Sequence, residues 1–421
     1  MSFDGRLNGE RKRVVITGIG AITPIGITSE EMERSLKESR SGIKSISLFN
    51  ADKLPVRFAG EAAGFKPGDF LDAKEIRRND RFIQMCLAAT DAAVKDSGLS
   101  LDRLRDAGVA VGVGLGGLGS IEEAALELEK TGPKKVSPFF IPSVLANLAS
   151  GQISIRYRTK GPNFAVSSAC ASGSQAIGQA YREIQAGRRD VWIAGGAEAP
   201  ITPLSIAGFS SARALSRRNE NPAAASRPFD QDRDGFVLSE GAATLILESL
   251  DSARKREARI YAELVGFGIA SDGYHMTEPD PNGDGAFLAM QEALLDSGLA
   301  VHAIHYVNAH ATGTPLGDRA EAIAMERIFG DRIGSTFVSS TKSLTGHPCG
   351  AAGSIEAVFC SLMLERGFLP PAFNLEQPGP EFRFKSPGQA ELHFRPEVVM
   401  NNSFGFGGIN TSMILARWGA Q

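Results

Sequence analysis

Cysteine is scarce in this sequence: four residues in 421, at positions 86, 170, 349 and 360, with no short regular spacing. That excludes a paired-cysteine metal knuckle, and it fits a reducing compartment rather than a disulfide framework. Cationic excess is missing too. The formal net charge is −3, so no basic surplus exists to neutralise nucleic-acid phosphates. No apolar run approaches the ~18–20 residues that span a bilayer. Residues 1–13 are polar and mixed in charge, unlike a secretory signal. His302 and His305 form a close pair, but no cysteine or carboxylate joins them at ligand spacing, so no metal site is expected. These absences predict a cytoplasmic protein that binds neither nucleic acid nor membrane.

What is present is a repeated grammar. The length suggests two or three domains and a large core that needs no staples. Residues 1–12 read as a flexible lead-in. A helix predicted over 80–95 ends in Asp96-Ser97-Gly98-Leu99 and precedes a strand at 109–113; a helix over 287–295 ends in Asp296-Ser297-Gly298-Leu299 and precedes a strand at 304–307. Ala165-Val166-Ser167-Ser168 before Cys170 is echoed by Phe337-Val338-Ser339-Ser340 before Lys342. Both stretches feed Gly/Ala-rich helices closed by Gly187 and Gly367. Two fused copies of one α/β unit are therefore expected, residues 13–255 and 256–421. If they pack about a pseudo-twofold axis, the corners carrying Cys170 and Lys342 face one cleft.

Cys170 stands between a β-type run, Asn163–Val166, and a helical pattern through Ile177, Ala180, Tyr181 and Ile184. A thiol at a helix start meets free N–H groups and the positive end of the helix dipole, which favours ionisation near neutral pH. Small neighbours leave a substrate room to reach it. The plain alternative is a buried cysteine serving as a small apolar side chain, which is the reading for Cys86, Cys349 and Cys360. His310 and His347 each follow a β-type run, among Gly, Ala and Thr, in the half opposite Cys170. Either alone reads as a hydrogen-bonded structural residue; together they suggest a Cys/His/His cluster.

Two glycine-rich stretches need weighing. Residues 112–119 satisfy GxGxxG after a strand, but the second strand ending in an acidic residue about 20 positions on is missing. An acidic helix over 121–130 and a Pro-broken stretch stand there instead, so close backbone packing near the cleft replaces dinucleotide binding as the expectation. Asn402-Ser403-Phe404-Gly405-Phe406-Gly407-Gly408-Ile409-Asn410 reads either as a tight hairpin or as a mobile loop offering an N–H to an oxyanion.

In combination these motifs resemble the β-ketoacyl-acyl-carrier-protein synthases, condensing enzymes with the thiolase fold, over nearly the whole chain. Four carry the resemblance: residues 168–173, 308–314, 342–347 and 402–410, with Ala223–Asp230 adding a fifth match. Within the family the pattern looks like the type II elongation synthases; a type I synthase, or the ketosynthase of a polyketide or secondary lipid pathway, is the alternative. The resemblance implies an α/β fold of two duplicated halves in a layered αβαβα core. It implies that Cys170 takes an acyl group and that His310 and His347 assist decarboxylation of malonyl-carrier protein. Lys342 and Glu356 would order the site, and N–H groups of Cys170 and Phe406 would form an oxyanion hole. Phe404 and Phe406 would gate the acyl pocket, Thr312 and Thr314 would hold the pantetheine arm, and Leu115 and Phe209 would line the acyl tunnel. Lys74, Arg77, Arg78 and Arg213 would receive acidic acyl-carrier protein, though such a charge run also suits a plain solvated face. No cofactor is implied beyond the phosphopantetheine on the carrier, and a homodimer is implied. The sequence departs from the usual pattern at Ala311–Thr314 and at Pro348-Cys349.

Overall fold

A computed structural model describes residues 11–419. The first copy gives five strands to the ten-stranded sheet: β1 (Val14–Ile22), β2 (Gly108–Gly112), β3 (Asn163–Val166), β4 (Val191–Glu198) and β5 (Gly241–Ser249). Five more follow: β6 (Ala262–Ser271), β7 (Tyr306–Asn308), β8 (Phe337–Ser339), β9 (Val398–Gly405) and β10 (Ile409–Arg417). Their order is β8-β7-β9-β10-β6-β1-β5-β4-β2-β3. Within each copy the sequence third-second-fourth-fifth-first recurs, parallel around the second strand and antiparallel around the fifth. The copies join where β1 pairs with β6 over Val14–Ile16 and Ala262–Leu264. A short helix, Leu250–Lys255, lies between them.

Six helices build the layers: α1 (Arg81–Ser97), α2 (Asn147–Tyr157), α3 (Ser172–Gln185), α4 (Asp284–Ser297), α5 (Pro315–Phe329) and α6 (Ala352–Arg366). α3 and α6 share the central core with inner-face residues of both half-sheets. α1 and α2 cover the outer face of the first half-sheet, and α4 and α5 that of the second. This is the αβαβα layering expected. α6 is buried at every position from Ala352 to Leu364, so its sequence shows no polar stripe to betray a helix period.

The repeated Asp-Ser-Gly-Leu endings have a structural reason. Gly98 and Gly298 cap their helices at φ +65° and +66°, a conformation glycine adopts freely. Asp96 accepts the N–H of Ile19, and Asp296 that of Phe267, each at 3.0 Å. Each aspartate thus ties its helix to the first strand of its own copy, beside a β-bulge in that strand. Of the predicted flexible lead-in, residues 1–10 lie outside the described residues. Arg11 and Lys12 are already held, by Asp296 and Asp190 at 2.8 Å.

Candidate active site

β3 ends at Val166, and after Ser167 and Ser168 the chain makes a single 3₁₀ turn, Ala169–Ala171, before α3. Ala169 sits at φ +48°, a left-handed conformation that costs an alanine about 1–2 kcal/mol. That turn places Cys170 Sγ 3.0 Å from His347 Nε2. The backbone N–H groups of Cys170 itself and of Phe406 both act on the sulfur. The hairpin reaches it because Gly405 has no side chain: a Cβ there would stand 2.5 Å from Ser168 O. The expected thiolate does not follow. Burial pushes the Cys170 thiol up to about 12, outweighing the Lys342 cation and the two N–H groups. Burial thus favours the thiol form, with His347 Nε2 as its nearest proton acceptor.

The second corner is built differently from the reading that paired Cys170 with Lys342. β8 ends at Ser339, and the matching 3₁₀ turn is Cys349–Ala351, with Cys349 at φ +41° just as Ala169 is at +48°. The structural mate of Cys170 is therefore Gly350. Residues 340–348 stand where the first copy has only residues 167–168, and this insertion supplies both Lys342 and His347. His347 is anchored by its N–H to Val237 O at 2.7 Å and its ring meets Phe236 edge-on at 5.4 Å. His310 follows β7, and its ring lies 5.4 Å from His347 and 5.6 Å from Phe404. Lys342 and Glu356 form an ion pair with side chains 1% and 3% exposed. Burial pushes Glu356 up to about 7, with Lys342 pulling it down.

Burial first, and Lys342 second, hold both imidazoles well below the usual histidine value of 6.5. A lowered histidine keeps its neutral form to more acid pH. We expect the acylation rate to stay within about twofold from pH 6 to pH 8, with the acid limb below pH 6. A limb centred near 6.5 in stopped-flow acylation would contradict that. The Nδ1 atoms of both rings have no hydrogen-bond partner among the described residues.

Cys170, His310 and His347 open on one cavity of about 570 Å³. Thr312 and Thr314 stand on its wall, hydroxyl to hydroxyl at 3.2 Å. Leu115, Phe209 and Phe404 line it as well, as does Phe406, 40% exposed at the hairpin tip. Cys349, expected as inert packing, also faces this cavity. Lys342 and Glu356 are buried beneath it. The hairpin is tied beside its turn: Asn410 Nδ2 donates to Asp272 Oδ1 at 2.7 Å, and the Asp272 N–H donates to Gly408 O at 2.8 Å.

The β-ketoacyl synthase N-terminal family model matches residues 11–253, and its C-terminal partner matches 261–376. The chain belongs to the β-ketoacyl synthase family. This ketoacyl synthase is 47% identical to a 3-oxoacyl-[acyl-carrier-protein] synthase 2 of Synechocystis, across 98% of the chain and 99% of that protein. A crystal structure of a β-ketoacyl synthase from Burkholderia phymatum superposes with a TM-score of 0.86 at 38% identity, covering 96% and 99% of the two chains. A ketosynthase solved with its type II polyketide acyl-carrier protein and bound hexaketide gives 0.89 at 29% identity, covering 96% and 99%.

The structure adds residues to the synthase site that sequence reading missed. Glu321 accepts the N–H groups of His310 and Ala311 at 2.9 and 2.7 Å and the Asn402 amide at 3.0 Å. Asp318 accepts from Gly313 at 3.1 Å and Phe229 at 2.8 Å. Both are buried on α5, and burial pushes them up to about 7 and about 6 against those donors. Two carboxylates three residues apart on an alanine-rich helix face were the available signal. Glu198, at the end of β4, is a third. The expected basic surface divides. Lys74, Arg77 and Arg78 lie on a short helix, Ala73–Arg78, beside Phe139 at a separate cavity of about 470 Å³, whereas Arg213 lines the catalytic cavity. Among the described residues no group of three or more His, Cys, Asp or Glu could hold a metal ion, and no helix is long and apolar enough to cross a membrane.

Proposed function

We infer that this synthase condenses malonyl-acyl-carrier protein, with loss of CO₂, onto an acyl chain held on Cys170, as in fatty-acid elongation. The observation that carries this is the 3.0 Å approach of Cys170 Sγ to His347 Nε2, with His310 beside it on the same cavity. In the first step the thiol gives its proton to His347 Nε2 and the sulfur attacks the acyl thioester. The tetrahedral oxyanion sits against the N–H groups of Cys170 and Phe406, and the proton returns to the departing pantetheine thiol. In the second, the two imidazoles donate to the malonyl thioester oxygen while the C–CO₂ bond breaks. The enolate carbon attacks the acyl thioester and Cys170 leaves as sulfur anion. His347 Nε2 accepts in the first step and donates in the second. The pantetheine arm arrives on the carrier, along Thr312 and Thr314, so no resident cofactor is required. The test is malonyl consumption with acyl-carrier proteins from octanoyl to hexadecanoyl; product with none of them would sink the reading. The likeness to a polyketide ketosynthase supports a second one, in which the chemistry is the same and only longer or β-oxo chains are extended.

The carrier meets the helix bearing Lys74, Arg77 and Arg78, whose charges suit an acidic partner. The enzyme works as a homodimer in the cytoplasm. Four free cysteines suit a reducing compartment. For the dimer, the support is an asymmetry between the copies. The β8 edge is covered, with Val338 N–H bonded to Lys385 O at 2.8 Å, whereas β3 is an open edge strand. Near it, helix Leu118–Thr131 buries none of its residues, and Leu126, Ile141 and Ile155 stand about 60–70% exposed. Leu126→Glu with Ile141→Glu is expected to shift the sedimentation profile from dimer to monomer; a dimeric variant would contradict this face.

A further inference from the structure

Glu198 is fully buried, and its carboxylate lies in a cradle of backbone donors. Oε1 accepts from Leu115 at 3.0 Å and Gly116 at 3.1 Å; Oε2 accepts from Gly114 at 2.8 Å and Gly350 at 3.0 Å. Each oxygen faces two N–H groups, an arrangement that favours the ionised carboxylate, while burial pushes the group up to about 7 against those donors. Space is equally restricted. A Cβ at Gly114 or Gly350 would stand 2.7 or 2.6 Å from Oε2.

The segments joined this way are two walls of the catalytic cavity. Leu115 follows Gly114, Cys349 precedes Gly350, and both residues line the cavity with Cys170. Leu115 is 44% exposed, so packing alone does not hold it. Its backbone N–H is committed to Glu198. The second wall comes from the other copy of the fold, and it starts from the strained turn at Cys349.

We propose that Glu198 is a positioning residue for acyl-length selection: a buried carboxylate that clamps the Leu115 loop to the Cys349–Gly350 turn and so fixes the width of the acyl cavity. Such a role rests on Cys170 holding the acyl chain. Glu198→Gln puts an NH₂ against two N–H groups and breaks one side of the clamp. With the full-length enzyme at pH 8, the ratio of kcat/KM for hexadecanoyl- over octanoyl-carrier protein should rise at least threefold, because the freed Leu115 loop no longer narrows the cavity. A ratio changed by less than threefold, or shifted toward octanoyl, overturns the proposal, even if both rates fall together as they would for simple loss of stability. Wild-type Cys170 must show both acyl adducts by mass spectrometry; if it shows neither, the condensing-enzyme reading has failed instead. Hydrogen exchange on the wild-type protein decides the matter should the variant not fold. The amides of residues 114–116 and 350 should exchange at least 100-fold more slowly than that of Gly419. Exchange at the rate of Gly419 would overturn the clamp.

Discussion

Cys170→Ala will carry no acyl group after incubation with acyl-carrier protein, and condensation will fall by about 10⁴-fold or more, the scale seen when a covalent nucleophile is removed. Decarboxylation of malonyl-carrier protein will survive to within roughly tenfold, because in the proposed mechanism it draws on donors from His310 and His347 rather than on the sulfur. That split follows from the geometry. Burial pushes the thiol up to about 12, His347 Nε2 stands 3.0 Å from it, and both histidines face the cavity. Intact-protein mass spectrometry reads the first outcome and release of labelled CO₂ the second. An acyl adduct on the alanine variant would remove Cys170 from the mechanism. Loss of both activities together in a folded variant would mean that the steps are not separable.

Lys342→Met is the second large effect. The pair it breaks is almost wholly enclosed, and removing one member of a buried ion pair costs about 3–5 kcal/mol because the other charge is left without compensation. Glu356 then persists by taking up a proton. Its folded-state value is already raised, from 4.5 to about 7. The stabilising effect of a raised carboxyl is fully present below its unfolded value and is lost as pH rises through the folded one. The variant should therefore be least destabilised near pH 5 and most above pH 7, as read by urea midpoints across that range. Lys342→Met with Glu356→Leu should regain most of the loss. The imidazoles will also titrate at higher pH without Lys342 beside them, but only in part, since burial is the larger cause. A pH-independent penalty would show that Glu356 carries no charge burden in the native enzyme.

Several features were legible from residue order because local chemistry decides them. The helix over 80–95 declared itself through its apolar face and the Gly98 cap. The duplication showed in the Asp-Ser-Gly-Leu endings, and these proved to be two copies of the same Asp-to-strand tie. Asn402–Asn410 was ambiguous between hairpin and oxyanion loop; it is a tight turn between β9 and β10 whose Phe406 N–H reaches the Cys170 sulfur. Pairing Cys170 with Lys342 was wrong in a specific way. The flanking β-runs do match, but the second copy carries an insertion before its 3₁₀ turn, and no local pattern marks where a turn is resumed.

Cys170 is where the division is clearest. Residue order alone established a cysteine between a strand and a helix, two histidines from the other copy, and small neighbours around them. It also suggested a thiolate, because the helix start is a local feature and burial is not. Desolvation is summed over everything that surrounds an atom, from both halves and the hairpin, so only the folded chain could show that burial pushes this thiol up. The same holds for Glu198 and Glu321. Their donors come from segments as far as 152 residues away, and nothing in the neighbouring sequence announces them. Motifs determined which groups the enzyme has; tertiary packing decided their charge and what holds them in place.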